Sequence, residues 1–206
     1  MCEYYEINAE RYAAETFSAD MSEQYRRFLP LLKKGARILD VGSGSGRDAC
    51  CFQKLRYQVT ALEPSKNLCR EIRKVFPGEI VCSDIQSYRP RERYDGIWAC
   101  ASFLHLQEEE VLRFFEKLDL YLKDSGIVYL SGKNGIPTGK AADGRYFLEF
   151  TEGLVGKILA VNERVKIEEL WYTEDVSGRD GFRWMNVMFR IFTGNKRNIV
   201  IQCLQL

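Results

Sequence analysis

The sequence is poor in the residues that build metal sites and disulfide frameworks. It has one histidine and seven cysteines, at positions 2, 50, 51, 69, 82, 100 and 203, and no two cysteines form a C-x-x-C pair. An odd cysteine count without paired spacing disfavours a zinc site, so we expect no metal ligands. Several cysteines lie in apolar segments, where they behave as small hydrophobic residues, and the pattern is typical of a reduced, cytoplasmic protein.

An excess of one charge and long apolar runs are also missing. Thirty Lys and Arg against 29 Asp and Glu leave a formal charge of +1, which disfavours a nucleic-acid partner because such proteins normally carry a basic excess. No apolar run approaches the roughly 20 residues that span a bilayer. The first residues, MCEYYE, lack the basic and apolar regions of a signal peptide, so we expect no membrane partner.

The most informative stretch that is present is 36–48, ARILDVGSGSGRD. Its apolar run predicts a short buried strand, and the residues after it are compatible with a helix. Gly42, Gly44 and Gly46 lie between the two, where glycine lets the backbone turn sharply and approach a ligand closely. A strand, a glycine turn and a helix together direct free backbone N–H groups toward whatever binds there.

A second apolar run, 58–62, ends in Glu63. A carboxylate at the tip of the next strand is placed to accept both hydroxyls of a ribose, so the turn and the acid indicate a nucleoside-binding site. A dinucleotide fingerprint would read G-x-G-x-x-G, whereas this one reads G-x-G-x-G, directly after Asp40 and Val41. An acid there repels phosphate and suits an ammonium group, which favours S-adenosylmethionine over NAD.

With these residues the sequence resembles a known family. ILDVGSGSG at 38–46 with Glu63 is similar to motifs I and II of the class I S-adenosylmethionine-dependent methyltransferases. YDGIWACASFLH at 94–105 and DGRYF at 143–147 resemble a bacterial branch often labelled tellurite-resistance-like methyltransferases. The resemblance runs to about Phe192 and implies an α/β fold, a Rossmann-like doubly wound seven-stranded sheet with a C-terminal antiparallel hairpin.

The same resemblance implies the division of the chain. We expect one methyltransferase domain over 1–192, in which 1–34 form a helical cap over the cofactor, and a C-terminal extension over 193–206. The apolar patterns predict the elements that follow the cap. Strands are predicted at 38–41, 57–62, 79–82, 94–100, 127–131, 165–172 and 184–191, and helices at 48–55, 64–75, 108–122 and 149–159. The segment 132–144 is long for a connector, which is usually a functional sign.

The predicted cofactor-binding residues surround the glycine turn and the strand ends. They are Tyr12, Asp40, Gly42, Ser43, Gly44, Gly46, Arg47, Asp48, Glu63, Pro64, Ser65, Asp84, Ile85, Ala99 and Cys100. The family resemblance implies that Tyr12 approaches the cofactor and that Asp84 bonds the adenine amino group. The alternatives are that Tyr12 only packs the cap helix on the sheet and that Asp84 only caps a turn.

Three further residues are predicted to act on the methyl acceptor, namely His105, Arg145 and Tyr146. Arg145 can donate two parallel hydrogen bonds to a carboxylate or oxyanion, and His105 is the best candidate for proton handling. The acceptor is therefore expected to be small and anionic or oxyanionic. The alternatives are a structural role for His105 and an ion pair of Arg145 with Asp143 or Glu149.

The predicted function is methyl transfer from S-adenosylmethionine to a small molecule, with S-adenosylhomocysteine as product and a monomer or homodimer as the assembly. An RNA or DNA methyltransferase is one alternative. Against it, Ala99 to Ser102 replace an Asn-Pro-Pro-Tyr-type motif and are poorly suited to hold a base amine. A cofactor-binding protein without catalysis is the other alternative.

Overall fold

A computed structural model describes residues 3–176 and 178–192. Seven α-helices lie in this part of the chain, at α1 Glu3–Ile7, α2 Ala9–Thr16, α3 Ser22–Phe28, α4 Arg47–Lys54, α5 Lys66–Val75, α6 Glu108–Glu116 and α7 Glu152–Val161. The strands are β1 Arg37–Val41, β2 Gln58–Leu62, β3 Glu79–Val81, β4 Tyr94–Ala99, β5 Leu122–Asn134, β6 Gly139–Lys140, β7 Tyr146–Phe147, β8 Val165–Thr173 and β9 Arg183–Ile191. The predicted extension 193–206 lies outside the described residues.

Seven of these strands form one sheet in the order β3-β2-β1-β4-β5-β9-β8. The first five are parallel, and β9 runs antiparallel to both β5 and β8. The strand order reverses between β1 and β4, and ligands bind outside the carboxyl ends of the strands at such a switch point. The predicted doubly wound sheet with its C-terminal hairpin is confirmed.

Several predicted boundaries were wrong. The helix expected over 108–122 ends at Glu116 and is followed by a short 3₁₀ turn, Leu118–Leu120. The strand expected over 127–131 extends over 122–134, with a register shift against β4, so the expected long connector is partly strand. The helix expected from 149 begins at Glu152, because the Thr151 hydroxyl accepts the Leu154 N–H at 3.1 Å and caps it.

The N-terminal helices pack across the carboxyl edge of the sheet. The Glu6 carboxylate accepts the backbone N–H of Lys66 at 2.7 Å and of Asn67 at 3.2 Å. These N–H groups belong to the first turn of α5, where backbone donors have no partner inside the helix. The Asn67 side chain in turn donates to the Glu6 carbonyl at 2.8 Å, so α1 is fixed to α5.

No helix within residues 3–176 and 178–192 is long and apolar enough to cross a membrane.

Candidate active site

The glycine turn has the backbone geometry that its sequence predicts. Gly42, Gly44 and Gly46 have φ angles of +69°, +55° and +78°, in the region that favours glycine. A Cβ on Gly42 would lie 2.5 Å from the Cβ of Ser102, and one on Gly44 would lie 3.2 Å from the Tyr12 ring. The turn is therefore closed to side chains at both positions, and its backbone faces the space at the carboxyl ends of β1 and β4.

Glu63 follows β2 and bonds to this turn. One carboxylate oxygen accepts the Gly44 N–H at 3.0 Å and the other accepts the Ser65 N–H at 2.9 Å. The residue is only 4% exposed. Burial raises its pKa to about 7, against the opposing effect of the two N–H donors. Ser65 also accepts the Leu68 N–H through its hydroxyl at 3.1 Å and thereby caps α5.

A cavity of about 650 Å³, named here the Glu63 cavity, opens beside this carboxylate. Among its lining residues are Glu63, Pro64, Leu68, Asp84, Ile85, Ser102, Phe103 and Tyr146. Asp84 is exposed and accepts the Ser87 N–H at 2.7 Å, so it caps a turn while also lining the cavity. The buried Ser102 hydroxyl has no hydrogen-bond partner among the described residues, which leaves a polar atom for a ligand at this wall.

A second cavity of about 160 Å³, named here the Lys133 cavity, lies on the other side of the glycine turn. Its polar lining includes Arg47, Asp48, Ser131, Lys133, Arg145, Asp175 and Asn186. The two cavities share six lining residues, which we call the seam: Tyr5, Tyr12, Gly42, Gly44, Ala101 and His105. Two ligands, one in each cavity, would therefore meet at the seam.

Tyr5, on α1, forms a hydrogen bond with His105, one of the three residues predicted to act on the acceptor. The Nδ1 of His105 lies 2.8 Å from the Tyr146 carbonyl, which can only accept, so Nδ1 carries the proton. The other nitrogen, Nε2, then accepts from the Tyr5 hydroxyl at 2.7 Å. Burial, together with the positive charges of Arg145 and Lys133, lowers the His105 pKa to about 4. His105 is therefore neutral at pH 7, with both ring nitrogens engaged.

Arg145 lines the Lys133 cavity, but its guanidinium already has an anion. Its Nη2 and Nε donate to one oxygen of Asp143 at 2.6 and 2.9 Å. The guanidinium also lies over the Tyr4 ring, 4.2 Å from its centroid. The ion-pair alternative is thus present in the structure, with Asp143 as the partner. The Tyr146 ring lines the other cavity, and only its carbonyl meets His105.

Asp48 is the buried anion behind the glycine turn. It accepts from Arg47 at 2.7 and 2.8 Å, from the Trp98 indole at 2.8 Å and from the Tyr25 hydroxyl. These donors hold the pKa of Asp48 below its usual range despite its burial. Arg47 and Asp48 therefore form a fixed ion pair at the base of the Lys133 cavity.

The structure does not bring every predicted site residue to a cavity wall. Asp40, Gly46, Ser65 and Ala99 line neither cavity. Asp40 and Ala99 lie within β1 and β4, while Gly46 and Ser65 precede α4 and α5.

The position of Asp40 does not support the prediction that it faces an ammonium group. Asp40 is 2% exposed and lines neither cavity. Burial together with the neighbouring Asp48 raises its pKa well above the usual range, which disfavours its ionised form. Its Oδ2 has no hydrogen-bond partner in the described part of the chain.

Some lining residues were missed from the sequence. Tyr5 lies in the predicted helical cap, where nothing in the local sequence pattern distinguishes it from the other aromatic residues. Asn186 carried a usable signal, because it is a polar residue inside an apolar strand. It is 1% exposed and accepts the Tyr129 hydroxyl at 2.7 Å while lining the Lys133 cavity.

Comparison with known proteins agrees with this geometry. Residues 38–126 match the family model described as a methyltransferase domain. This range includes the glycine turn, Glu63 and β4, the elements that build the Glu63 cavity. The match confirms S-adenosylmethionine as the expected cofactor, because methyltransferase domains of this kind use it as methyl donor.

Two curated relatives each match about half of the chain. One is (S)-coclaurine N-methyltransferase from Papaver somniferum, 26% identical over 108 residues, with 48% of this chain and 30% of that protein covered. The other is an uncharacterized methyltransferase from Alkaliphilus oremlandii, 30% identical over 100 residues, 48% of this chain and 46% of that protein. The chain spans less than half the length of either relative.

Solved structures show the same fold over most of the chain. The 1,6-didemethyltoxoflavin-N1-methyltransferase from Burkholderia thailandensis, solved with its substrate and S-adenosylhomocysteine, has a TM-score of 0.73 at 17% identity, covering 92% of this chain and 84% of that one. TehB from Haemophilus influenzae has a TM-score of 0.68 at 15% identity, covering 89% and 67%. The chain therefore has the class I methyltransferase fold, while the tellurite-resistance-like branch stays a prediction.

Proposed function

We propose that the protein transfers a methyl group from S-adenosylmethionine to a small-molecule acceptor. The observation that carries this proposal is the pair of cavities that meet at the glycine turn. The Glu63 cavity suits the cofactor and the Lys133 cavity suits the acceptor. The seam between them is where a methyl group would pass.

The residues of the Glu63 cavity fit the cofactor. Glu63 would accept the ribose hydroxyls, as a carboxylate at the end of the second strand is placed to do. Asp84 and Ile85 lie on the wall where the adenine would be held. Backbone of Gly42 and Gly44 lies on the wall that the two cavities share, where the methionine end would rest. The unpartnered Ser102 hydroxyl offers one more polar contact.

Methyl transfer from a sulfonium requires few catalytic groups from the protein. The cofactor, when bound, supplies an activated methyl group on a sulfonium. The seam residues would align the acceptor with that methyl group and exclude water, which accounts for much of the acceleration of such reactions. Neutral His105 has no proton on Nε2 to donate at pH 7, and it could take up a proton only through the Tyr5 hydroxyl that is bonded to this nitrogen. A base is required only if the acceptor arrives protonated.

The size and charge of the acceptor cavity favour a small molecule. A cavity of about 160 Å³ suits a small ligand, and the formal charge of +1 provides no general field for a nucleic-acid backbone. We further propose that the acceptor is anionic or an oxyanion. The RNA or DNA alternative predicts strongly salt-dependent RNA binding, and a cofactor-binding protein without catalysis predicts binding without turnover.

Calorimetry with S-adenosylhomocysteine tests the proposal directly. Glu63→Ala should weaken binding by about 1–3 kcal/mol, the scale for leaving buried polar groups unpaired. Glu71→Ala is the matched control, because Glu71 lies on α5 and lines neither cavity. Release of S-adenosylhomocysteine in a screen of small acceptors then tests turnover. Tighter binding of NAD than of S-adenosylhomocysteine would contradict the proposal.

A further inference from the structure

The cations of the Lys133 cavity differ in whether they are paired. Arg47, Arg145 and Arg179 each have a carboxylate partner, with N–O distances of 2.7, 2.6 and 2.7 Å. Lys133 has none, because within residues 3–176 and 178–192 no carboxylate oxygen lies within 4.0 Å of its Nζ. Among the described residues that line this cavity, Lys133 is therefore the lysine or arginine without a direct carboxylate partner.

Aromatic rings hold the Lys133 ammonium in place. Its Nζ lies 4.8 Å from the centroid of the Phe147 ring and 4.3 Å from that of Phe182. Ring faces attract a cation, but they accept no strong hydrogen bond from its three N–H groups. Lys133 also pairs with Trp184 across β5 and β9, so its backbone position is fixed by the sheet.

The surroundings of Lys133 favour an incoming anion. Partial burial lowers its pKa, and the charges of Arg179 and Arg145 lower it further. The charges of Asp175 and Asp143 oppose this effect, but each of these acids is paired with an arginine. Two further acids of the cavity are exposed, where water and salt screen their charge: Glu15, which pairs with Arg11 at 3.9 Å, and Glu174. An anion beside Lys133 would relieve the repulsion among the three cations.

We propose that Lys133, rather than Arg145, binds the negative charge of the acceptor, and that this charge is a carboxylate or a comparable oxyanion. The apolar part of the acceptor would lie against the ring of Phe147, which lines the cavity beside the Lys133 ammonium. This inference rests on the proposed function, since it assigns a ligand to the acceptor cavity. It replaces the two-bond contact with Arg145 that the sequence suggested, because Asp143 occupies that guanidinium.

Matched acids and amides provide the test. The wild type is titrated with two acids and their amides, benzoate with benzamide and acetate with acetamide. Each titration is made with and without saturating S-adenosylhomocysteine. We expect at least one acid to bind roughly tenfold or more tightly than its amide, the scale of a charged hydrogen bond. Binding should also take up protons at alkaline pH, because a bound anion raises the lysine pKa. That measurement needs no variant.

Three variants locate the effect. Lys133→Met should abolish the preference for the acid, Lys133→Arg should keep it, and the exposed Lys54→Met is the charge-matched control that should behave as wild type. A preference that survives Lys133→Met, or acids that bind no better than amides in wild type, would overturn the proposal. Unchanged S-adenosylhomocysteine binding in Lys133→Met would show that the cofactor site does not depend on Lys133, so a lost preference for the acid could not be attributed to misfolding. If wild type does not bind S-adenosylhomocysteine but shows a Lys133-dependent preference, the proposed function fails and the anion subsite remains.

Discussion

Cofactor affinity should depend on pH through Glu63. Its pKa in the cofactor-free protein is raised to about 7 by burial, with both oxygens bonded to backbone N–H groups. Ribose hydroxyls that donate to this carboxylate stabilise its ionised form, so the bound pKa lies below the free pKa. Binding therefore releases a proton below pH 7, and affinity rises as the pH is raised toward neutrality.

The magnitude follows from the free pKa. At pH 6 about one molecule in eleven has Glu63 ionised, whereas at pH 8 about ten in eleven do. Affinity for S-adenosylhomocysteine should thus be about tenfold weaker at pH 6 than at pH 8, or about 1.4 kcal/mol. His105 does not contribute to this difference, because its pKa of about 4 lies below the range.

Calorimetry at pH 6 in two buffers with different protonation enthalpies measures the released proton. Methylthioadenosine serves as a second ligand, because it has the ribose but no titrating amino acid. Glu63→Gln cannot ionise and should flatten the profile, which separates Glu63 from the buried Asp40. Affinity that is constant from pH 6 to 8, or that improves toward low pH, would show that ionised Glu63 does not bind the ribose.

Two further substitutions test the glycine turn and the buried ion pair. Gly42→Ala should abolish cofactor binding and destabilise the fold, because its Cβ would meet a serine Cβ at 2.5 Å with φ at +69°. Gly156→Ala, in α7 with nothing within 4 Å, should be neutral or stabilise by up to about 1 kcal/mol in urea unfolding. Asp48→Asn leaves the buried Arg47 without its anion and should cost about 3–5 kcal/mol in the same assay. In the wild type, the stabilisation from this ion pair should be lost only as the pH falls through the lowered Asp48 pKa. A difference below about 1 kcal/mol between the unfolding free energies of wild type and Asp48→Asn would show that the pair is not coupled to folding.

The sheet could be predicted from the sequence because each strand is a short apolar run between polar turns. Boundaries were less predictable where tertiary contacts extend an element. The strand β5 begins at Leu122, where pairing with Tyr94 comes before a register shift that no local pattern reveals. The apolar pattern after Glu116 continues through Leu118, which is buried in a 3₁₀ turn rather than in the helix.

The candidate site was predictable where chemistry depends on local spacing. One helix and one strand, α4 and β2, lie between Gly42 and Glu63. The sequence pattern therefore already predicts that these two residues lie close together. The local sequence does not predict whether Asp40 faces a ligand, because its burial depends on neighbouring strands. Tyr5 reaches His105 across 100 residues of sequence, a contact that only the packing of α1 creates.

Our proposal places cofactor and acceptor in separate cavities that meet at the seam. A crystal structure of the complex with S-adenosylhomocysteine would locate both sites at once. We expect the ribose on Glu63, the adenine beside Asp84 and Ile85, and the sulfur at the seam facing the Lys133 cavity. An adenosine bound in the Lys133 cavity, or a sulfur pointing away from the seam, would contradict it.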